Sequence, residues 1–168
     1  MHVTVPFPEA LELVLRGAEL PPIIASATCS GATLRVDLDL RTIPSPPFAL
    51  RAITALAPIV RVHATFRSFD AGTATFDLVV RAGSIPVQRL LNQFTGLLAA
   101  QLRKHGLPEQ LATVKQGVDG ELLAVVDLQA AVALRTRGLR VTRFALDEGA
   151  VVAAATVQGF SVQGSGPA

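Results

Sequence analysis

The sequence predicts an α+β fold: a curved antiparallel sheet of about eight strands in hairpins, with one long amphipathic helix and shorter helices packed on it. Three observations carry this. Thr33 to Arg41 alternates strictly, with Leu34, Val36, Leu38 and Leu40 on one face and Arg35, Asp37, Asp39 and Arg41 on the other, the two-residue period of a half-buried strand. Short turns containing Asp and Gly separate paired apolar runs, as at Asp70-Ala71-Gly72 and Asp147-Glu148-Gly149, which is how hairpins announce themselves. Between these turns Val87, Leu90, Leu91, Phe94, Leu97, Leu98 and Leu102 recur at helical spacing, forming a single apolar stripe.

Taken in order, Pro8 to Leu20 places Leu11, Val14, Leu15 and Ala18 on one side of a helix. Leu11, Leu13 and Leu15 also alternate as a strand would, and helix is the favoured of the two assignments. Ile23 to Thr28 pairs with the Thr33 strand across a turn at Cys29-Ser30-Gly31, and Pro47 to Ala57 reads as a short helix ended by Pro58. The second hairpin joins Val60–Phe69 to Thr73–Arg81, with Val62, Ala64 and Phe66 on one face of the first strand and Ala74, Phe76, Leu78 and Val80 on one face of the second. The long helix begins with Ser84 as a cap and tolerates Pro86 in its first turn. Arg103, Lys104 and His105 suit its negative end, and Gly106 with Pro108 stops it. Thr113–Gln116 with Glu121–Leu128, and Leu139–Leu146 with Ala150–Gln158, complete the hairpins, separated by a short helix over Gln129 to Arg137.

Residues 1–162 are expected to form one domain, followed by a disordered tail over 163–168. The order helix, hairpin, short helix, hairpin occurs twice, over 8–82 and 84–160. Phe69-Asp70-Ala71-Gly72 matches Leu146-Asp147-Glu148-Gly149, and Val36-Asp37-Leu38 matches Val126-Asp127-Leu128, but at different offsets. Two similar halves from a duplication and a chance recurrence fit these matches equally.

Composition narrows the function. Half of the 168 residues are hydrophobic and 17% are charged, against about 25% charged in an ordinary domain, and the mean hydropathy is +0.46. The surplus must be buried or offered to a ligand or partner. A formal net charge of +2 is no polycation, and Arg135, Arg137, Arg140 and Arg143 form the only basic cluster, without Trp or Tyr beside it. It reads as a solvated strand edge, so no nucleic-acid partner is expected. No segment approaches the roughly 20 apolar residues that a membrane span needs. Met1 to Pro6 lacks the basic start of a signal peptide, so a cytoplasmic location is expected.

The chemistry-bearing residues are sparse. One cysteine, Cys29, excludes an internal disulfide and a cysteine-based zinc site. His2, His63 and His105 are scattered, and His63 reads as a surface residue of its strand. Asp37 and Asp39 lie between Arg35 and Arg41, which suits ion-paired carboxylates rather than an acid–base pair. No phosphate-binding glycine pattern is present. Neither a catalytic residue, a metal ligand nor a cofactor is expected, and the chain does not read as an enzyme.

The segment Ser84 to His105, followed by Val118-Asp119-Gly120-Glu121-Leu122 and Leu146-Asp147-Glu148-Gly149-Ala150-Val151-Val152, resembles the tubular lipid-binding (TULIP) superfamily, which includes small bacterial phospholipid-binding proteins. The resemblance extends over about Ile23 to Phe160 as a pattern of elements rather than as motifs. It implies a helix lying along a strongly curved sheet, with acyl chains held in the seam. The chain departs from that group in having no export signal and no interfacial Trp or Tyr, and no family binding residue transfers position by position. The expected function is non-enzymatic binding of a hydrophobic, lipid-like ligand between Leu90, Leu91, Phe94, Leu97 and Leu98 of the helix and Phe66 and Phe76 of the sheet. The competing expectation is a structural or self-assembly module that buries its apolar surface in a homo-oligomer or against a partner protein. Peripheral contact with a membrane stays open.

Overall fold

A computed structural model describes residues 1–17, 19–84 and 91–158. The chain opens with strand β1 (His2–Pro6) and helix α1 (Phe7–Leu15), then the hairpin β2 (Ile24–Ser30) and β3 (Thr33–Asp39). Helix α2 (Phe48–Leu56) leads to the long hairpin β4 (Ile59–Asp70) and β5 (Thr73–Arg81), and α3 (Leu91–Lys104) follows. The remainder is β6 (Ala112–Gln116), β7 (Leu122–Asp127), α4 (Leu128–Ala133), β8 (Leu139–Asp147) and β9 (Ala150–Val157). The α+β class and the antiparallel pairing are as the sequence indicates. Every hairpin forms, within one or two residues of its expected ends.

Two expectations are corrected. The strands do not make one sheet of about eight; they divide into a six-stranded sheet ordered β2-β3-β4-β5-β7-β6 and a three-stranded sheet ordered β1-β9-β8. The division has a simple cause. Strand β7 is already paired on one side with β5 and on the other with β6, so the last hairpin has no free edge there. Instead β9 pairs with β1, from His2 opposite Ala154 to Pro6 opposite Ala150. That partner is hard to see in sequence, because it is short and lies at the other end of the chain.

The second correction concerns the single long helix. Helix α3 runs for 14 residues, while α1, α2 and α4 have 9, 9 and 6. Among the described residues it is the longest of four helices rather than a helix of a different order. Its expected first turns, and Leu90 among them, fall in 85–90, outside the described residues, as does the tail 163–168. Its end is as expected: Leu107 N donates to Leu102 O at 2.8 Å and Gly106 N to Arg103 O at 2.9 Å, the paired bonds of a Schellman motif. Gly106, at φ 68°, supplies the left-handed residue this motif requires. Helix α1 is helical, as favoured, but stops at Arg16, itself left-handed at φ 53° and followed by Gly17 at φ 77°.

The helix–hairpin–helix–hairpin order occurs twice among these elements, but strand pairing differs between the halves. Strands β2 to β5 form a continuous meander, whereas β6–β7 and β8–β9 belong to different sheets. The β4–β5 and β8–β9 turns share one conformation, with Ala71 and Gly72 at φ 46° and 88° and Glu148 and Gly149 at φ 48° and 78°. Two consecutive left-handed residues match the twist of the flanking strands.

Two cores hold the structure. Leu40, Leu50, Ala57, Val60, Val80 and Ala82 are buried together where α2 packs on one end of the six-stranded sheet. Ala74, Phe76 and Leu146 form the second, with Phe66, Phe69, Phe144 and Val151 packed around them between the two sheets. Phe66, Phe76 and Phe144 meet edge to face, with ring centroids 5.8–6.4 Å apart, which favours the pairing beyond area alone.

Candidate functional site: an apolar cavity under helix α3

The alternation of the strands sends one apolar set to one face of the six-stranded sheet. From β3 come Leu34, Val36 and Leu38, from β4 Val62 and Ala64, and from β5 Phe76, Leu78 and Val80. Strands β6 and β7 add Ala112, Val114, Leu122, Ala124 and Val126. Helix α3 crosses above this surface and packs most closely on the edge strand β6. Leu91, Phe94, Leu97 and Leu98 of its stripe face the sheet across a cavity of about 450 Å³. The volume lies within the roughly 300–1,000 Å³ of small-molecule sites. Gln101 is the only polar residue on the wall among the described residues.

Burial agrees with a space rather than a packed seam. None of the side chains described on α3 is fully buried, and Leu34, Val36, Leu38, Val62 and Leu78 are only half-buried although they point at the helix. Val36 and Leu78, near the middle of the sheet, belong to neither buried cluster. Their partner surface is the cavity.

The structure therefore brings together Leu91, Phe94, Leu97, Leu98 and Phe76 of the residues singled out from the sequence. Leu90 lies outside the described residues. Phe66 is not on the wall: paired in register with Phe76, its ring joins Phe76 and Phe144 in the seam between the sheets. The strand residues on the wall, and Gln101, were not singled out. The alternation that marks Leu34, Val36 and Leu38 as inward-facing was legible; that they face a space was not.

Among the described residues, no ionisable side chain lines the cavity. The charges sit on the opposite face of the sheet, as the alternation demands. There Asp37 lies 3.3 Å from Arg61 and 3.6 Å from Arg35. Desolvation pushes its carboxyl up, but the Ser26 hydroxyl, Arg35 and Arg61 together hold it below its ordinary value. Arg67 bridges Asp77 at 3.0 Å and Glu121 at 3.2 Å. His63, on this same face between Arg35 and Val79, is half-buried rather than a surface residue, and its Nε2 is enclosed without a hydrogen-bond partner. Burial pushes the Cys29 thiol up, the direction of an inert rather than an activated thiol. Among the described residues no group of three or more His, Cys, Asp or Glu is arranged to hold a metal ion, and no helix is long and apolar enough to cross a membrane.

A second depression lies beside the β4–β5 turn, with Arg140, Thr142 and Thr156 on its wall. Gln129 there is committed to the fold, donating from Nε2 to Leu139 O at 3.0 Å and accepting at Oε1 from Val141 N at 2.8 Å. The arginines expected at a strand edge are exposed, and β8, which carries Arg140 and Arg143, is an edge of the three-stranded sheet. The apolar cavity is the more developed site. No family model, curated protein or solved structure matches the chain, so the cavity's own chemistry is the basis on which its function is read.

Proposed function

We propose that this protein binds an apolar, lipid-like ligand in the cavity between α3 and the six-stranded sheet, and does not transform it. The carrying observation is a cavity of about 450 Å³ whose wall, among the described residues, is apolar but for Gln101. At about 30 Å³ per heavy atom, the share of one water in the liquid, this volume holds on the order of fifteen heavy atoms. That suits one aliphatic chain or a small isoprenoid. Water is a poor occupant of so apolar a space. The described residues of the wall carry no charge and offer no counter-ion to a buried carboxylate or phosphate, and burying such a group unpaired is costly. The ligand's buried part is accordingly uncharged, with at most one polar group for the Gln101 amide. The reading accords with the resemblance to tubular lipid-binding proteins, in which a helix and a sheet hold acyl chains between them.

Two variants and one probe test it. Mass spectrometry of organic extracts from purified protein should find a co-purifying lipid, and delipidated protein should take up a fluorescent long-chain fatty alcohol. Val36→Phe, which fills the middle of the cavity, should abolish uptake while changing stability by less than about 1 kcal/mol; overpacking a tight core would cost about 1–3 kcal/mol. Phe94→Ala should weaken uptake and cost less than the roughly 3–5 kcal/mol of a packed phenylalanine. A clean extract, no uptake and a strongly destabilised Val36→Phe would together identify the region as ordinary core.

A further inference from the structure

Helix α2 is apolar on both sides, which a helix lying on a protein surface ordinarily is not. Its inner face is accounted for, since Leu50 is buried and Ile53 packs against the same cluster. Its outer face is Phe48, Ala49, Arg51, Ala52, Ala55 and Leu56, all exposed. Phe48 and Leu56 retain 83% and 77% of their accessible surface. Lying at i and i+8 with Ala52 between them, they form one stripe. Leaving two large side chains this far in water on one stripe is unfavourable, which makes the stripe a candidate contact surface.

Charge and area select among occupants. From Leu40 to Phe69 the chain has four arginines, Arg41, Arg51, Arg61 and Arg67, and no Asp or Glu. Arg41, Arg61 and Arg67 are paired with Asp39, Asp37, and Asp77 and Glu121. Arg51 is held by the Pro46 carbonyl, to which its Nε donates at 3.0 Å, and among the described residues it has no carboxylate within ion-pair distance. It stands one turn from Phe48 on the exposed side, the sole charge of an otherwise apolar face. A second copy is a poor occupant. A two-fold contact sets the patch against itself, bringing Arg51 towards its mate. A nine-residue helix is only about 14 Å long and about 10 Å wide, so its outer face of roughly 150 Å² falls well short of the roughly 800 Å² that each partner gives a stable interface. An apolar stripe flanked by an unpaired arginine suits the boundary of an anionic bilayer, where the rings and methyls enter and the cation meets headgroups.

We infer that the outer face of α2 docks on an anionic lipid surface. The inference stands apart from the cavity, since the docking face and the cavity wall share no residue. Co-sedimentation of the full chain with vesicles tests it, comparing phosphatidylcholine alone with an equimolar mixture of phosphatidylcholine and phosphatidylglycerol. The protein should sediment with the mixed vesicles and far less with the neutral ones. Phe48→Ser combined with Leu56→Ser should weaken that partition by at least about tenfold with an unchanged melting temperature, both side chains being exposed. Arg51→Glu should abolish the preference for anionic vesicles. Uptake of the fatty alcohol in vesicle-free solution should be unaffected by either change, which keeps this result separate from the cavity's. Wild-type protein left in the supernatant, or a double variant that sediments like wild type, would overturn the inference. So would a wild-type dimer, seen by sedimentation velocity, that the double variant dissolves.

Discussion

Asp39 shows how the polar face of the sheet is stabilised. Its carboxylate accepts from the Arg41 guanidinium at 2.9 and 2.8 Å and from the Arg41 backbone at 3.0 Å. The guanidinium bonds are the main reason the carboxyl sits below its ordinary value of 3.8. Glu121 is likewise held below 4.5, first by a backbone N–H and then by Arg67, and Asp37 shifts in the same direction. The sign follows by linkage. As pH falls, the unfolded chain takes up these protons before the folded one does, so stability is present above the ordinary values and is lost on acidification through the lower folded ones. We expect a melting temperature indifferent to these carboxylates from neutral pH down to about 5, and falling below about 4. Asp39→Asn should remove part of the acid-side slope, and a melting series across this range would show it. All three side chains are half-buried and still reach solvent, so screening keeps the effect small.

At the scale of elements, the β4–β5 turn does more than close a hairpin. Gly72 is buried at φ 88°, its carbonyl accepts from Gln129 N at 3.0 Å, and a Cβ there would lie 2.6 Å from the Gln129 Cβ. The turn is thus the seat on which α4 begins, one residue after its cap Asp127 accepts from Ala130 N. Gly31, in the β2–β3 turn, is also left-handed, at φ 57°, but a Cβ there would meet nothing within 4 Å. Gly31→Ala should therefore cost only the conformational penalty of about 1–2 kcal/mol. Gly72→Ala should cost clearly more, because the clash is with a side chain's root rather than its flexible end. Urea unfolding of the two variants compares them directly. The sequence shows Gly72 as a turn glycine; that its second neighbour is a helix 57 positions onward is visible only once the chain is folded.

For the whole molecule, the question is what joins the two sheets. Phe144 of β8 stands at the centre of the answer, 5.8 Å from Phe66 and 6.4 Å from both Phe69 and Phe76. Phe7 N donating to Gly149 O and Gly149 N donating to Gly31 O, each at 3.0 Å, fasten the same hairpin to α1 and to the β2–β3 turn. Phe144→Ala removes the central ring and should cost about 3–5 kcal/mol. The loss should be unequal across the molecule. Hydrogen exchange should accelerate most in β1, β8 and β9, whose three-stranded sheet relies on the seam, and least in β3, β4 and β5, the inner strands of the larger sheet. Uniform acceleration would instead show that the sheets open as one unit.

The local rules account for what was legible in advance. Alternation at Thr33 to Arg41, the Asp–Gly turns and the stripe from Leu91 to Leu98 are set by neighbours in sequence, so the elements, their faces and the Gly106 stop follow from the residues themselves. Strand pairing between distant segments does not. It depends on which partner the last hairpin meets; β7 is flanked on both sides, and β9 pairs with β1 rather than with either edge of the larger sheet. The fate of Phe66 is of the same kind: its apolarity marks it as interior, and the contact with Phe144 of the other sheet puts it in the seam rather than on the cavity wall. The sequence by itself determined that a helix's apolar stripe would face the apolar side of a sheet. Only the tertiary structure decided how far apart they stand, because α3 rests on the edge strand β6 and, among the described residues, stands off the middle of the sheet across the cavity.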